Sequence, residues 1–282
     1  MAAPLDIDHS PVRRDENLQT RVFDMFMGYR AWKRQDYLLN RMGFKELNRA
    51  YFTYPGVQIY MGLAAIALVA MATYGGSPLM IAFAFLSAVI GHPIIWYITH
   101  RWILHSKLLM RFPFTAALWK RTHYDHHQRP NELSVLFGGL HTTLPPIALI
   151  YGPIGYWIAG PAGACAAIAS GIGMTMFYEY IHCIQHLGFM PKSKFLQHVK
   201  RAHLLHHYHD ESGNYSITDF WVDRVLGTYY PDAAARPRSA TARNLGYTDD
   251  MAERFPWVRE LTEEYERAEA AREAGEESRR AA

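Results

Sequence analysis

The stretch PLMIAFAFLSAVIGHPIIWYITHRWILH, residues 78–105, is a long apolar run that ends in two histidines. It contains no Asp, Glu, Lys or Arg before Arg101, and His100 and His105 lie at its end. An apolar run of about 20 residues is long enough for a helix that crosses a bilayer. The stretch therefore predicts a membrane-spanning helix that carries imidazole groups to one face of the membrane.

Two blocks of the chain, residues 50–100 and 133–178, contain no charged side chain. Each block is long enough for two spans joined by a tight turn. In the first, residues 56–75 and 78–98 flank a Gly-Gly-Ser-Pro turn. In the second, residues 144–160 and 161–181 flank Gly160-Pro161, and further prolines predict a first arm that is short, kinked or re-entrant. Buried hairpins in a soluble protein are the alternative, which the lack of any charged helix face disfavours.

Composition excludes several classes of protein. The 282 residues include 29 Lys+Arg and 26 Asp+Glu, for a net charge of +3 spread along the chain. A nucleic-acid binder would concentrate its basic residues, so no nucleic-acid partner is expected. The two cysteines, Cys165 and Cys183, form no CxxC motif, which excludes a disulfide scaffold and a Cys-based metal site. Histidine is abundant, with 15 residues in all.

The charge pattern predicts three segments and a topology. We expect residues 1–50 to form a cytoplasmic or interfacial helical segment, with an amphipathic helix over residues 10–50. Residues 51–235 would form the membrane domain, and residues 236–282 a charged helical tail without chemistry. The first 20 residues lack the apolar core of a signal peptide. Because Lys and Arg lie outside the uncharged blocks, both termini and the central segment are predicted to be cytoplasmic in a multi-pass cell-membrane protein.

Ten histidines occur in four clusters with helical spacing. Two clusters are H-x2-H-H motifs, one is H-x3-H and one is H-x4-H. Because positions i, i+3 and i+4 share a helix face, each H-x2-H-H motif is expected to aim three imidazoles the same way. The H-x4-H pair is five residues apart, so its helix is expected to end or distort there. The ten residues are His100, His105, His123, His126, His127, His182, His186, His203, His206 and His207.

This pattern predicts a metal site at the cytoplasmic membrane interface. Imidazole is a ligand suited to Fe, Cu, Zn and Ni, and ten imidazoles are too many for one ion but suit two. A lone histidine usually has a structural role. A structural role does not explain ten histidines that lie at helical spacing and follow each of two apolar hairpins. Such a site takes its substrate from the lipid phase and its electrons from the cytosol.

The set resembles the fatty acid hydroxylase (sterol desaturase-like) superfamily of membrane di-iron, histidine-motif oxygenases. The resemblance covers roughly residues 80–230 and includes HRWILHS at 100–106, HYDHH at 123–127, HLLHH at 203–207 and the closing WVDRVLGTY at 221–229. It implies an all-α integral membrane protein with about four transmembrane helices in two hairpins and a cytoplasmic His-rich helical cap. It also implies two non-haem iron ions held by the ten histidines, O2 as cosubstrate, and hydroxylation or desaturation of a lipid.

The favoured function is therefore that of an oxidoreductase of lipid metabolism, a di-iron monooxygenase that hydroxylates a C–H bond of a fatty acyl chain or acyl-bearing lipid. Sterol or carotenoid hydroxylation or desaturation is the alternative within the superfamily. A His-rich membrane metal transporter and a structural zinc protein are alternatives of other classes. The chain has no flavin-type GxGxxG, no Cys-rich ferredoxin run and no fused haem domain. A separate electron donor is implied, either ferredoxin or cytochrome b5 with a reductase.

Other polar residues carry weaker signals. Glu179 and Asp125 are each interpreted either as a hydrogen-bond partner of a ligand histidine or as an ordinary interfacial residue. Arg101 and Arg121 are expected to be interfacial cations. Asp223 is expected, with Asn214, to hold the closing loop. His92 would either touch a substrate channel or pack with a hydrogen bond. The remaining histidines, interpreted as background, are His9, His141, His198 and His209.

Overall fold

The computed structural model describes residues 37–281, and this part of the chain is helical. Three π-helical segments, Thr99–Leu104, Lys120–Tyr124 and Ile147–Tyr151, interrupt the α-helices. The α-helices are α1 (Phe44–Phe52), α2 (Pro55–Tyr74), α3 (Pro78–Ile98), α4 (Pro113–Trp119), α5 (Asp125–Gln128), α6 (Leu140–Pro146), α7 (Gly152–Gln185), α8 (Lys194–Tyr208), α9 (Trp221–Val225), α10 (Asp249–Arg254) and α11 (Trp257–Ala281).

Helices α2 and α3 form the first hairpin within one residue of the predicted bounds. Both begin with proline, whose fixed φ suits the first turn of a helix and whose missing N–H needs no partner there. The turn between them has Gly75 at φ 64° and Gly76 at φ 131°, a conformation that favours glycine. Large apolar side chains such as Ile66 and Val69 are about two-thirds exposed. An apolar outer surface of this kind suits contact with lipid.

The second predicted hairpin is also present. Residues Leu140–Gln185 form one 46-residue helical stretch, which turns back on itself at Ala159 (φ −143°, ψ 29°) and Gly160 (φ 60°, ψ −150°). A Cβ atom added at Gly155 would lie 2.2 Å from the carbonyl oxygen of Gly163, so the two arms meet backbone to backbone. The first arm begins at Leu140, four residues before the predicted bound, and remains helical through its prolines by way of a π-helical segment.

Within residues 37–281, three helical stretches are long and apolar enough to cross a membrane, namely Pro55–Tyr74, Pro78–Arg111 and Leu140–Gln185. The third contains both arms of the second hairpin. The protein is therefore an all-helical membrane protein, with α7 packed against α2 and α3. The number of crossings and the face on which the termini lie stay predictions.

The polar segments pack against the ends of these helices. One core includes Leu47, Phe137 and Val199. It is formed by helix α1, by residues 133–137, by the end of α7 and by helix α8. A second core joins the central segment to the C-terminal region, where Trp119 packs with Tyr247. Within the predicted tail, Asp249–Arg254 and Trp257–Ala281 are helical, whereas residues 236–248 are not. The amphipathic helix expected over residues 10–50 falls mostly outside the described residues, and the segment boundaries at 50 and 235 stay predictions.

Candidate metal centre

The structure brings all ten predicted histidines together in two groups of five. Within each group, one nitrogen of every ring lies within 4.8 Å of those of the other four. Nine of the ten residues are buried and His105 is half-buried. The first histidine group is His100, His105, His123, His127 and His206. The second histidine group is His126, His182, His186, His203 and His207.

A π-helical turn brings His100 and His105 into the same group. The N–H of His105 donates to the carbonyl of His100 at 3.0 Å, which is an i to i+5 hydrogen bond. The Nε2 atoms of the two rings lie 3.1 Å apart. The expected distortion of the helix is therefore confirmed, and it serves to converge two side chains that an α-helix would hold apart.

The H-x2-H-H motifs do not aim all three imidazoles the same way, contrary to expectation. His123 and His127 enter the first histidine group and His126 enters the second. In the later motif the assignment is reversed, since only His206 joins the first group. Successive residues differ by about 100° around an α-helix, so the adjacent histidines of each motif point to the two sides of the helix face. The two groups therefore lie side by side.

The distances between ring nitrogens fit the spacing of ligands around an ion. The Nε2 of His203 lies 3.0 Å from the Nε2 atoms of both His182 and His186. In the first group, the Nε2 of His123 lies 2.8 Å from that of His105 and 3.2 Å from that of His100. Two nitrogen ligands that are each about 2.1 Å from an ion and at right angles to one another are ~3.0 Å apart. Both groups therefore have the dimensions of a ligand shell.

Three histidines of the first group are oriented by backbone carbonyls. The Nδ1 atoms of His100, His127 and His206 lie 2.5, 2.9 and 2.8 Å from the carbonyl oxygens of Tyr215, Ala242 and Gly213. An Nδ1–H that donates in this way leaves the lone pair of Nε2 free to bind a metal. These carbonyls could not be found from sequence, because every residue has one.

Several ring nitrogens in the centre are buried without a protein partner. Among the described residues, Nε2 of His127, Nε2 of His206 and both nitrogens of His126 and His207 make no hydrogen bond. Such atoms are rare in proteins and call for a ligand, water or ion. Burial also lowers the pKa of His126, His127 and His207, which keeps these imidazoles in the neutral form that binds metals. Both donor sets therefore fit a metal ion.

An apolar cavity of about 470 Å³ reaches both groups. Its walls include ligands of each group, such as His100 and His182, and apolar side chains such as Ile95, Ile147 and Ile150. A cavity of this size can enclose a small ligand or part of a lipid chain. The cavity connects the candidate metal centre with the apolar interior between the hairpins.

His92 lines this cavity, and its Nδ1 lies 3.3 Å from the hydroxyl of Tyr151. It is therefore both a cavity residue and a hydrogen-bonded one. His209 lies outside both groups and its Nε2 is 2.8 Å from the carbonyl oxygen of Arg236. His141 and His198 also lie outside the groups, while His9 is outside the described residues.

The acidic residues beside the motifs contact a backbone N–H and two cations. Glu179 lines the cavity and accepts a hydrogen bond from the N–H of Gly138 at 3.2 Å. Asp125 pairs with Lys120 at 2.5 Å and with Arg129 at 3.7 Å. Neither sequence-based interpretation of Glu179 and Asp125 names these partners.

Arg101 and Arg121 differ in burial and in their hydrogen-bond partners. Arg101 is half-buried and donates to the hydroxyl of Tyr97 at 2.7 Å. Arg121 is only 2% exposed and donates to the carbonyl of Phe137 at 3.3 Å. The expectation of an interfacial cation is therefore wrong for Arg121, because the chain folds the central segment over it.

Asp223 holds the closing loop, as expected. Its carboxylate accepts hydrogen bonds from the N–H groups of Tyr215 and Ser216 at 2.8 and 2.9 Å and from the hydroxyl of Thr228 at 2.7 Å. Asn214 accepts from the N–H of Tyr230 at 2.9 Å and donates to its carbonyl at 3.0 Å. Because the carbonyl of Tyr215 meets His100, this loop also orients a candidate ligand.

Helical hairpins, two groups of five histidines and an apolar cavity that reaches both groups define a membrane protein with a candidate metal centre. The family model for fatty acid hydroxylase matches residues 85–228, about half of the chain. The chain belongs to this family, which confirms the resemblance seen in its motifs.

Two relatives match about half of the chain. The chain is 28% identical over 156 residues to dihydroceramide fatty acyl 2-hydroxylase FAH2 of Arabidopsis thaliana, covering 52% of this chain and 60% of the relative. It is 28% identical over 176 residues to ceramide very long chain fatty acid hydroxylase scs7 of Schizosaccharomyces pombe, covering 56% of this chain and 48% of the relative. The chain thus spans about half the length of these relatives.

The fold also matches a solved structure, described as full-length scs7p with only the hydroxylase domain visible. The match has a TM-score of 0.53 and 22% sequence identity, and it covers 71% of each chain. At this identity the likeness concerns the fold, and it agrees with the helical architecture described above.

Proposed function

We propose that this protein is a membrane-bound, O2-dependent, non-haem di-iron monooxygenase that hydroxylates a C–H bond of a lipid acyl chain. The observation that carries the proposal is the pair of five-histidine groups at one end of an apolar cavity. Support for an acyl chain comes from the relatives, which are named as hydroxylases of fatty acids, ceramide or dihydroceramide. Sterols and carotenoids rank second because they are rigid and nothing in the cavity selects for them.

Iron is the metal we infer for both groups. Imidazole alone suits Fe, Cu, Zn and Ni. Zinc has no redox chemistry, whereas attack on an unactivated C–H bond requires an oxidant. When bound, the irons would supply the activation of O2.

The chain itself holds the metals and positions the substrate. Ile147 and Ile150 give the cavity an apolar wall that would bind the acyl chain and exclude water from the reacting carbon. Asp223 holds the loop whose carbonyl meets His100, so it would fix the orientation of that ligand.

The proposed reaction needs a source of electrons. We propose ferredoxin or cytochrome b5 with its reductase as the donor, acting at the cytoplasmic face of the cell membrane. His100 follows α3 and His182 lies at the end of α7, so the metal centre would lie close to that face. Both termini would lie on the same side.

The alternative functions fit the geometry less well. A transporter places its ligands near the middle of the membrane on discontinuous helices, whereas these groups lie where α3 and α7 end. A structural zinc site is closed, whereas a cavity reaches both histidine groups.

The proposal is tested with purified protein in lipid nanodiscs, supplied with iron, 18O2 and a reduced electron donor. N-acylated lipids, free fatty acids and sterols are offered in parallel and analysed by mass spectrometry. We expect one 18O atom in the acyl chain, with activity lost in His126→Ala and kept in His198→Ala. If only sterols gain oxygen, the acyl-chain assignment is wrong. If the protein binds no iron and oxidises nothing, the whole proposal is wrong.

A further inference from the structure

A segment beyond the family-matched residues contacts two helices, α5 and α8, that each supply one histidine to the first histidine group. We call residues 236–247 the C-terminal strap. The family match ends at residue 228. The strap runs from the end of α8, which carries His206, across the end of α5, next to His127, to the core around Trp119.

The strap begins with contacts to the residues that follow His206 and His207. The guanidinium of Arg236 pairs with Asp210 at 3.1 Å. The carbonyl oxygen of Arg236 lies 2.8 Å from Nε2 of His209. The N–H of Ser239 donates to the carbonyl of His209 at 2.7 Å. These bonds fix the start of the strap to the C-terminal end of α8.

The middle of the strap contacts a candidate ligand directly. The carbonyl oxygen of Ala242, which is 4% exposed, accepts from Nδ1 of His127 at 2.9 Å. Gln128 and Arg243 bond each other in both directions, since the Gln128 amide donates to the Arg243 carbonyl at 2.5 Å and the Arg243 guanidinium donates to the Gln128 carbonyl. The strap is therefore held at the residue that follows His127.

The far end of the strap is anchored by apolar burial. Leu245 and Tyr247 are 6% and 7% exposed and pack in one cluster with Trp119 and Met110. Positive φ angles at Leu245 (52°) and Gly246 (74°) turn the chain into this cluster. Both ends of the strap are thus fixed, and the carbonyl of Ala242 is held between them.

We propose that the C-terminal strap is a positioning element of the first histidine group, in which Ala242 fixes the tautomer and orientation of His127. The inference rests on the proposed function, because it requires that this group binds a metal ion. Removal of a hydrogen-bond partner of a metal-bound histidine typically weakens metal binding by about 10–100-fold.

The strap is expected to act on one group only. In the second histidine group, the Nδ1 atoms of His186, His203 and His207 have no hydrogen-bond partner within residues 37–281. No carbonyl from the strap therefore orients these rings. Loss of the strap should weaken the binding of one ion and leave the other in place.

The first experiment compares the full chain with a chain that ends at residue 235. A chain that ends at residue 267 is the control, because it keeps the strap and Val258, which packs in the same core as Tyr247. Fe²⁺ or Co²⁺ binding is measured by anaerobic titration and elemental analysis of the detergent-purified proteins. We expect two tight sites in the full chain and the control, but one tight site and one about 10–100-fold weaker site in the short chain.

Two tight sites in the short chain would overturn the role of the strap while leaving the proposed function intact. A full chain that binds neither ion would overturn the proposed function and, with it, the strap. Metal binding, rather than turnover, is the measurement, so the two failures are distinguishable.

A point variant tests the strap without removing the core contacts of Tyr247. Arg243→Ala breaks the guanidinium bond to Gln128. Loss of a positive charge by itself strengthens the binding of a cation, so weaker binding of one ion must come from the released strap. Arg238→Ala, at an exposed position of the same strap, is the matched control. We expect one weakened site in Arg243→Ala and two tight sites in Arg238→Ala; two unweakened sites in Arg243→Ala would overturn the proposal.

Discussion

Replacing Gly155 with Ala tests the contact that closes the second hairpin. The new Cβ atom would lie 2.2 Å from the carbonyl oxygen of Gly163 and 2.7 Å from Cβ of Ala167. Real Cβ atoms essentially never come closer than 3.0 Å to another heavy atom. The nearest atom is backbone and cannot rotate away, so the two arms would have to move apart.

The size of the effect follows from a comparison with Gly173, on the same helix. Gly173 is exposed, and no atom lies within 4 Å of an added Cβ. Ala in place of Gly stabilises an unobstructed helix by roughly 0.5–1 kcal/mol. This gain applies at both positions, so the difference between the variants is the cost of the clash. Overpacking of this kind costs about 1–3 kcal/mol.

The assay is unfolding of both variants in mixed micelles by titration with a denaturing detergent. Gly155→Ala should unfold at a lower denaturant concentration than the wild type, and Gly173→Ala at the same or a higher one. Turnover should also fall in Gly155→Ala, because Tyr151 and Ile147 line the cavity and pack beside Gly171 of the opposite arm. If the two variants are equally stable, the arms do not meet at this point and the hairpin is described wrongly.

Three further outcomes are expected. His126→Ala should lose bound metal and activity because the second group loses a ligand, whereas His198→Ala, outside both groups, should keep both; equal metal content would contradict the assignment. Reporter fusions at residues 76 and 282 should lie on opposite faces of the membrane, since the charge pattern places the hairpin turns away from the termini; a shared face would contradict the two-hairpin topology. Ile150→Trp should shift substrate preference toward shorter acyl chains by filling the cavity, and an unchanged chain-length profile in mass spectrometry would show that the chain lies elsewhere.

The hairpins could be predicted from sequence because their signals are local. The ends of α2 and α3 are marked by proline at the start and glycine at the turn, so both were located within one residue. The second hairpin starts at Leu140, four residues before the predicted bound. The prolines there interrupt the α-helical sequence pattern, but the chain remains helical. A π-helical segment over Ile147–Tyr151 accommodates the change in hydrogen bonding.

The candidate site was predictable in its membership but not in its arrangement. Helical spacing identified all ten histidines that the two groups contain. The division into groups depends on how α5 and α8 face each other, which is a tertiary property. The same holds for the burial of Arg121, which is 2% exposed, and for the carbonyl of Ala242, which bonds His127 from 115 residues away. A hydrogen bond to a backbone carbonyl does not depend on the type of residue that carries the carbonyl, so it cannot be predicted from the sequence.

The division of each H-x2-H-H motif between the two groups has a physical consequence for the candidate metal centre. Each H-x2-H-H motif places two imidazoles in one group and one in the other, and the rings of His127 and His207, from different groups, stack with centroids 4.1 Å apart. An ion in the first group would hold the π-helical segment Lys120–Tyr124 through His123 and α5 through His127, and α5 also presents His126 to the second group. The two groups therefore share one short stretch of the chain, so a substitution that displaces this stretch should weaken the binding of both ions, whereas loss of the strap contact at His127 should weaken only one.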